Sequence, residues 1–145
     1  MTVGDAMTRE VHVANPAQTI GEIARMMVEL DTGFVPVSDG DRLVGAITDR
    51  DIVVRAVAAG LGPETPVRDI MTREIKYCFD DDTIAGVAKN MAWIKVRRLP
   101  VVSRKKRLVG VIGLGDVARA EKSAAAEVIA GASKPGGPHD QTQDN

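Results

Sequence analysis

The sequence predicts an α/β (α+β) fold built from two tandem βαββα repeats packed as one pseudo-two-fold body. Three observations carry this. Asp5-Ala6-Met7-Thr8-Arg9-Glu10 recurs 64 residues later as Asp69-Ile70-Met71-Thr72-Arg73-Glu74, and Val3, Thr19-Ile20, Ala24, Met27 and Pro36-Val37 find partners at the same offset. Arg42-Leu43-Val44-Gly45 then matches Arg107-Leu108-Val109-Gly110 after one extra residue in the second copy, as do Ile47 with Ile112 and Asp51 with Asp116. Finally, each copy alternates short β-branched runs with helical periodicity, and one such unit alone buries too little surface to be secure.

In each copy a short helical turn around Asp-x-Met-Thr leads to a brief strand, predicted at 11–13 and 75–79. The apolar residues Ile20, Ile23, Ala24 and Met27 fall at helical spacing, as do Ile84, Val87, Ala88 and Met91. Helices are therefore expected over 19–30 and 83–94, with Thr19 and Thr83 at the N-cap positions. Two strands follow, 34–37 and 43–48 in the first copy and 98–102 and 108–112 in the second. Turns at 38–41 and 103–106 join them. A closing helix is expected from Asp49 to about Ala59 and from Leu114 to about Ile129. The resulting division is repeat 1 over 1–62, repeat 2 over 63–122, a helix extension over 123–132 and a disordered tail over 133–145. The tail reading rests on its polar, Gly- and Pro-containing composition.

Composition narrows the function. Of 145 residues 44% are hydrophobic, but aromatics supply only 3%, so the core rests on aliphatic side chains. So few rings also argue against a stacking platform for single-stranded nucleic acid. The net charge of −1 hides an asymmetry. Residues 1–64 hold five basic and ten acidic side chains, whereas residues 65–128 hold thirteen and eight. Halves of −5 and +5 attract within a chain or between antiparallel copies. The basic cluster Arg97-Arg98 with Arg104 to Arg107 is short and lacks interleaved aromatics, so nucleic acid is disfavoured. No apolar run approaches the roughly 20 residues that span a bilayer, and no leader pattern opens the chain, so no membrane partner and a cytoplasmic location are expected. His12, His139 and the single Cys78 lack metal-ligand spacing, so no metal is expected. His12 reads as a surface residue and Cys78 as a buried strand residue. No nucleophile–base pair is recognisable, so no enzyme is expected.

One stretch carries chemistry. Leu43 to Thr48 is an apolar run that feeds directly into a helix, with Thr48 and Asp51 three residues apart at its start. Two readings stand. Thr48-x-x-Asp51 fits a capping box, in which hydroxyl and carboxylate satisfy the first backbone donors. The same groups at a helix start also suit a ligand's hydroxyls and phosphate. Asp116 repeats the carboxylate, but Gly113 stands where the hydroxyl belongs.

The ordered set, Asp-x-Met-Thr, Thr-Ile-x-x-Ala, apolar-Pro-Val and Val-Gly-x-Ile-(x)3-Asp, all occurring twice, resembles a tandem pair of cystathionine-β-synthase (CBS) domains. The likeness spans residues 3 to about 120. It implies a regulatory module with no obligatory cofactor, whose two clefts take an adenine nucleotide or relative: AMP, ADP, ATP, NAD or S-adenosylmethionine. Carried onto this chain, it gives one cleft Thr48 and Asp51, with Val35 and Pro36 beside the base and Thr83 from the other repeat. The second cleft receives Asp116, Leu99, Pro100 and Thr19, with Arg97 and Arg98 facing phosphate. A carboxylate grips a cis-diol through charge-assisted hydrogen bonds, and a guanidinium fork suits phosphate. A homodimer through the repeat helices and a separate, unidentified effector protein are expected; Trp93, a large ring near its helix end, reads as either a core edge or an anchor of that dimer face with Met26, Met27 and the helix 52–59. The competing expectation is a structural or stress-associated CBS protein that binds no nucleotide and acts through protein contacts.

Overall fold

A computed structural model describes residues 1–122, so the expected helix extension and tail at 123–145 lie outside the described residues. The first repeat contains α1 (Val3–Ala6), α2 (Ile20–Leu30), β1 (Phe34–Asp39), β2 (Arg42–Thr48) and α3 (Asp49–Asp51), which runs on as a π-helix over Ile52–Val57. The second contains α4 (Val67–Ile70), β3 (Cys78–Phe79), α5 (Ile84–Ile94), β4 (Arg98–Val102), β5 (Leu108–Gly113) and a helix, α6, over 114–122.

The two long helices form as their periodicity requires. Thr19 caps α2 by accepting from the Glu22 amide at 3.2 Å, and Thr83 caps α5 by accepting from the Gly86 amide at 3.1 Å. Ile20, Ile23 and Met27 face one core, and Ile84, Val87 and Met91 face the other. Both helices stop at a residue in left-handed conformation, Asp31 and Lys95. The hairpins β1–β2 and β4–β5 pair antiparallel, each with a register shift just before the turn.

The repeats exchange their leading segments. Val3 and Met7 belong to the core formed by α5, β4 and β5, while Val67, Ile70 and Met71 belong to the core formed by α2, β1 and β2. Backbone pairing follows the same cross-over. Thr8 and Val111 exchange two hydrogen bonds at 2.9 and 3.0 Å, and Ala46 and Thr72 exchange two at 3.0 and 2.9 Å. Val3 and Val67 are both fully buried. Each contributes about 1.5–3 kcal/mol to a core that the opposite repeat builds.

Three expectations need correction. Residues 11–13 form no strand; an isolated parallel bridge joins Ala14 to Val37 instead, and of 75–79 only Cys78–Phe79 pairs. Segment 9–13 passes along the rim of a cleft, and its side chains alternate without a sustained ladder. The closing helix of repeat 1 is α-helical for one turn only. Its wide turns bond Ala58 to Val53 and Leu61 to Ala56. The β-branched run Ile52-Val53-Val54 is poor α-helix material. Charge attraction between the halves is carried, among the described residues, by one exposed ion pair, Asp41–Arg107 at 2.8 Å.

Two outcomes check this packing. A methyl on Gly45 would sit 2.7 Å from the Thr72 carbonyl oxygen, so Gly45→Ala pushes the crossed strands apart. Urea unfolding is expected to report a loss of about 1–3 kcal/mol. Burial, with Asp82 adding to it, raises the Cys78 thiol to about 12. The native chain is therefore expected to resist a thiol-titrating disulfide reagent at pH 8, and the unfolded chain to release one equivalent.

Candidate functional site

Strand alternation sends successive side chains to opposite faces, so Val35 and Val37 point into the first core while Phe34 and Pro36 face away from it. That outer face meets the second repeat. A cleft of about 270 Å³ opens between them, lined by Thr8, Glu10, Val11, His12 and Thr32 with Phe34 and Pro36 on one side. Arg98, Val111, Gly113 and Asp116 line the other. The Thr8–Val111 bridge forms part of its floor, so the exchange of leading segments creates this cleft.

Asp116 is its anchor. Only 9% of the residue is exposed. Oδ2 accepts from the Gly113 amide at 2.9 Å, and Oδ1 pairs with Arg119, whose side chain is largely in solvent. The carboxylate is thus fixed in direction at the start of α6, with a guanidinium on its outer oxygen that can swing away without losing hydration.

The first copy repeats this arrangement and adds the hydroxyl. The Thr48 amide donates to Asp51 Oδ2 at 2.9 Å, and the Asp51 amide donates to Thr48 Oγ at 3.0 Å, a complete capping box. Arg55 Nε lies 3.8 Å from Asp51 Oδ1, and Arg55 also donates to the Met71 carbonyl across the repeat boundary at 3.4 Å. The capping reading of Thr48 and Asp51 is therefore realised. It leaves the second carboxylate oxygen turned to a partly exposed arginine.

The remaining candidates divide. Pro36 joins Asp116 rather than Asp51, because the crossed packing sets the outer face of β1 against the end of β5. Val35 and Leu99 are buried in the cores, and Pro100 is fully buried. Arg98 reaches the Asp116 cleft, whereas Arg97 is exposed, does not line it and contributes a backbone carbonyl to the Leu114 amide. Thr19 and Thr83 spend their hydroxyls on helix caps and are not among the residues lining this cleft. Thr8, Glu10, Val11, His12 and Thr32 were not foreseen as site residues. For Thr8 and the segment after it the available signal is the repeated Asp-x-Met-Thr, which marks where one repeat meets the other; nothing in the sequence marks Thr32. His12 is exposed, as read, but its exposure is to the cleft mouth.

Glycine at 113 is not forced by crowding. A Cβ there would meet nothing closer than 3.6 Å, the Arg97 carbonyl oxygen and Arg98 Cγ.

Comparison with known proteins converges on one family. The sequence model of the CBS domain matches residues 3–57 and again 67–123. The CBS domain-containing protein YhcV of Bacillus subtilis (strain 168) is 38% identical over 117 residues, covering 81% of this chain and 83% of that one. Among solved structures, CBSX2 in complex with AMP superposes with a TM-score of 0.76 at 28% identity, covering 86% of this chain and 98% of the other. The CBS domain pair of MJ0100, in complex with 5′-methylthioadenosine and S-adenosyl-L-methionine, gives a TM-score of 0.73 at 26% identity, with coverage of 86% and 98%.

Two substitutions check the geometry at the helix starts. Thr48→Ala removes one cap and is expected to lower the unfolding free energy by about 1 kcal/mol. A Cβ at 113 meets only ordinary contacts, so Gly113→Thr is expected to complete the second box and raise stability by a few tenths of a kcal/mol in the same urea titration.

Proposed function

The chain belongs to the CBS-domain family and carries two copies of the domain in tandem, and from that premise we propose that it is a regulatory module that binds an adenosine-containing ligand between its repeats. The observation that carries this reading is Asp116, a nearly buried carboxylate held by a backbone amide inside a cleft walled by both repeats. In this reading its outer oxygen accepts from the ribose hydroxyls as Arg119 swings aside. Val11, Pro36 and Val111 flank the base, and Arg98 with His12 meets a phosphate.

The cleft also discriminates. Its volume of about 270 Å³ lies just below the roughly 300–1,000 Å³ usual for small-molecule pockets, so in this reading it encloses a nucleoside or mononucleotide more fully than NAD. Glu10 lines the same space as Arg98, so a long polyphosphate meets a carboxylate as well as a guanidinium. AMP, 5′-deoxyadenosine thioethers and S-adenosylmethionine are therefore favoured over ATP. By the repeat's symmetry, a ligand held in the other half would meet Asp51 and Thr48 with Thr72.

Ligand contacts on both repeats give binding a handle on their relative position, since a ligand shifts only states that it binds differently. A second copy of the chain is the proposed receiver. Val53, Val54 and Val57 on the π-helix and Trp93 on α5, the last 86% exposed, form apolar helix surface available to it. The competing reading, a CBS protein without a nucleotide, has its own support: both carboxylates already find partners within the chain.

Calorimetric titration separates the two. Adenosine, AMP, ATP, NAD and S-adenosylmethionine are titrated into the wild type, Asp116→Ala and Asp51→Ala. AMP or S-adenosylmethionine is expected to bind in the micromolar range. Loss of a hydrogen bond to a charged group costs about 1.5–3 kcal/mol, so at least one variant is expected to weaken binding by roughly tenfold to a hundredfold. No heat and no thermal shift with any of the five would leave the ligand-free reading standing. Sedimentation tests the second copy: a dimer is expected, and a monomer at high protein concentration contradicts it.

A further inference from the structure

Duplication gives the molecule two more related grooves, where the hairpin tips meet across the Arg42–Arg107 bridge. In one, the Leu108–Val109 edge faces Arg9, Val13 and Asp41, and Asp41 is neutralised by Arg107 at 2.8 Å. In the other, of about 250 Å³, the matching Leu43–Val44 edge faces Arg73, Tyr77 and Lys106, with Arg42 beside them. The residue preceding the matched arginine is Asp41 in one copy and Lys106 in the other. An ion pair has thus become two like charges, and Arg73 adds a third. Among the described residues no carboxylate lies within ion-pair distance of any of the three.

The wall has changed as well. Val13 is matched by Tyr77, and this ring is held rather than free. It packs edge-on against Phe79 with centroids 5.7 Å apart, Arg104 lies 4.0 Å over the Phe79 ring, and Asp81 fixes Arg104 through a bidentate pair. Tyr77 remains 43% exposed beside the half-buried apolar side chains of Val44 and Ile75.

We propose that this groove is a second binding site, for a small organic anion whose phosphate or carboxylate sits among Arg42, Arg73 and Lys106 and whose flat apolar body lies against Tyr77. An oxyanion relieves the repulsion that the sister groove never has, and planar guanidinium forks match its oxygens. The groove shares no lining residue with the Asp116 cleft, so the proposal does not rest on a ligand in that cleft.

Phenyl phosphate is the probe, titrated into the full-length chain while backbone amide resonances are followed. The expected shifts cluster at 42–44, 73–77 and 106, with tighter binding than inorganic phosphate. Lys106→Asp restores the sister groove's charge pattern at a position whose φ of 62° aspartate tolerates. It is expected to weaken phenyl phosphate at least tenfold, and Arg42→Gln to weaken it in the same direction. Tyr77→Val is expected to erase the preference over inorganic phosphate. Shifts centred on the Asp116 cleft, no shifts at all, or unchanged affinity in both charge variants would overturn the proposal.

Discussion

The rest of the molecule depends on the exchange of leading segments between its two repeats. A unit of about 60 residues has only a marginal core of its own, and here neither repeat relies on its own segments alone. Val3 and Met7 fill the second core, and Val67, Ile70 and Met71 fill the first. The backbone obeys the same rule, with Thr8 laid against β5 and Thr72 against β2. The glycines preceding the crossing points permit the approach: a Cβ on Gly110 would sit 2.5 Å from Met7 Sδ, and one on Gly45 would sit 2.7 Å from the Thr72 carbonyl. Size, burial and glycine placement thus describe a single constraint.

That constraint also makes the cleft. Because Thr8 is laid against β5 while Ala14 pairs with Val37 of β1, segment 8–12 runs between the two sheets and lines the cleft together with the outer face of β1, opposite Asp116, Arg98 and Gly113. A ligand in this position touches both repeats by construction. Each carboxylate is oriented by a backbone amide three residues earlier and completed by an arginine one helical turn later, Arg55 for Asp51 and Arg119 for Asp116. In both pairs a mostly buried carboxylate meets an arginine whose side chain is at least half in solvent. Their arginines are easily displaced, which leaves the oriented carboxylates available to hydroxyls.

Much of this was legible in the sequence. The 64-residue offset disclosed the duplication, helical periodicity located α2 and α5, and threonine at each cap position marked their starts. Thr48-x-x-Asp51 announced the capping box that the structure contains. What local patterns could not supply was which face of each repeat meets the other. Apolar-Pro-Val says nothing about whether Pro36 lies near Asp51 or Asp116; only the cross-over decides, and it chooses Asp116. Alternation does place Val35 and Leu99 in the cores, but only once the strand's inner face is known. His12 and Glu10 escaped notice because segment 9–13 makes no ladder, and its alternating pattern reads as a strand. The π-helical turn after Asp51 has no periodic signature at all, since six residues are too few to distinguish its pitch.

The central claim is that one cross-over both holds the repeats together and forms the ligand cleft. Native-state hydrogen exchange of the Thr8, Ala46, Thr72 and Val111 amides, measured with and without AMP, tests it most directly. All four bond across the repeat boundary. They are expected to exchange only through global unfolding, with one shared free energy, and to slow together when AMP is added. Independent opening of either crossing, or protection indifferent to AMP, would contradict the account.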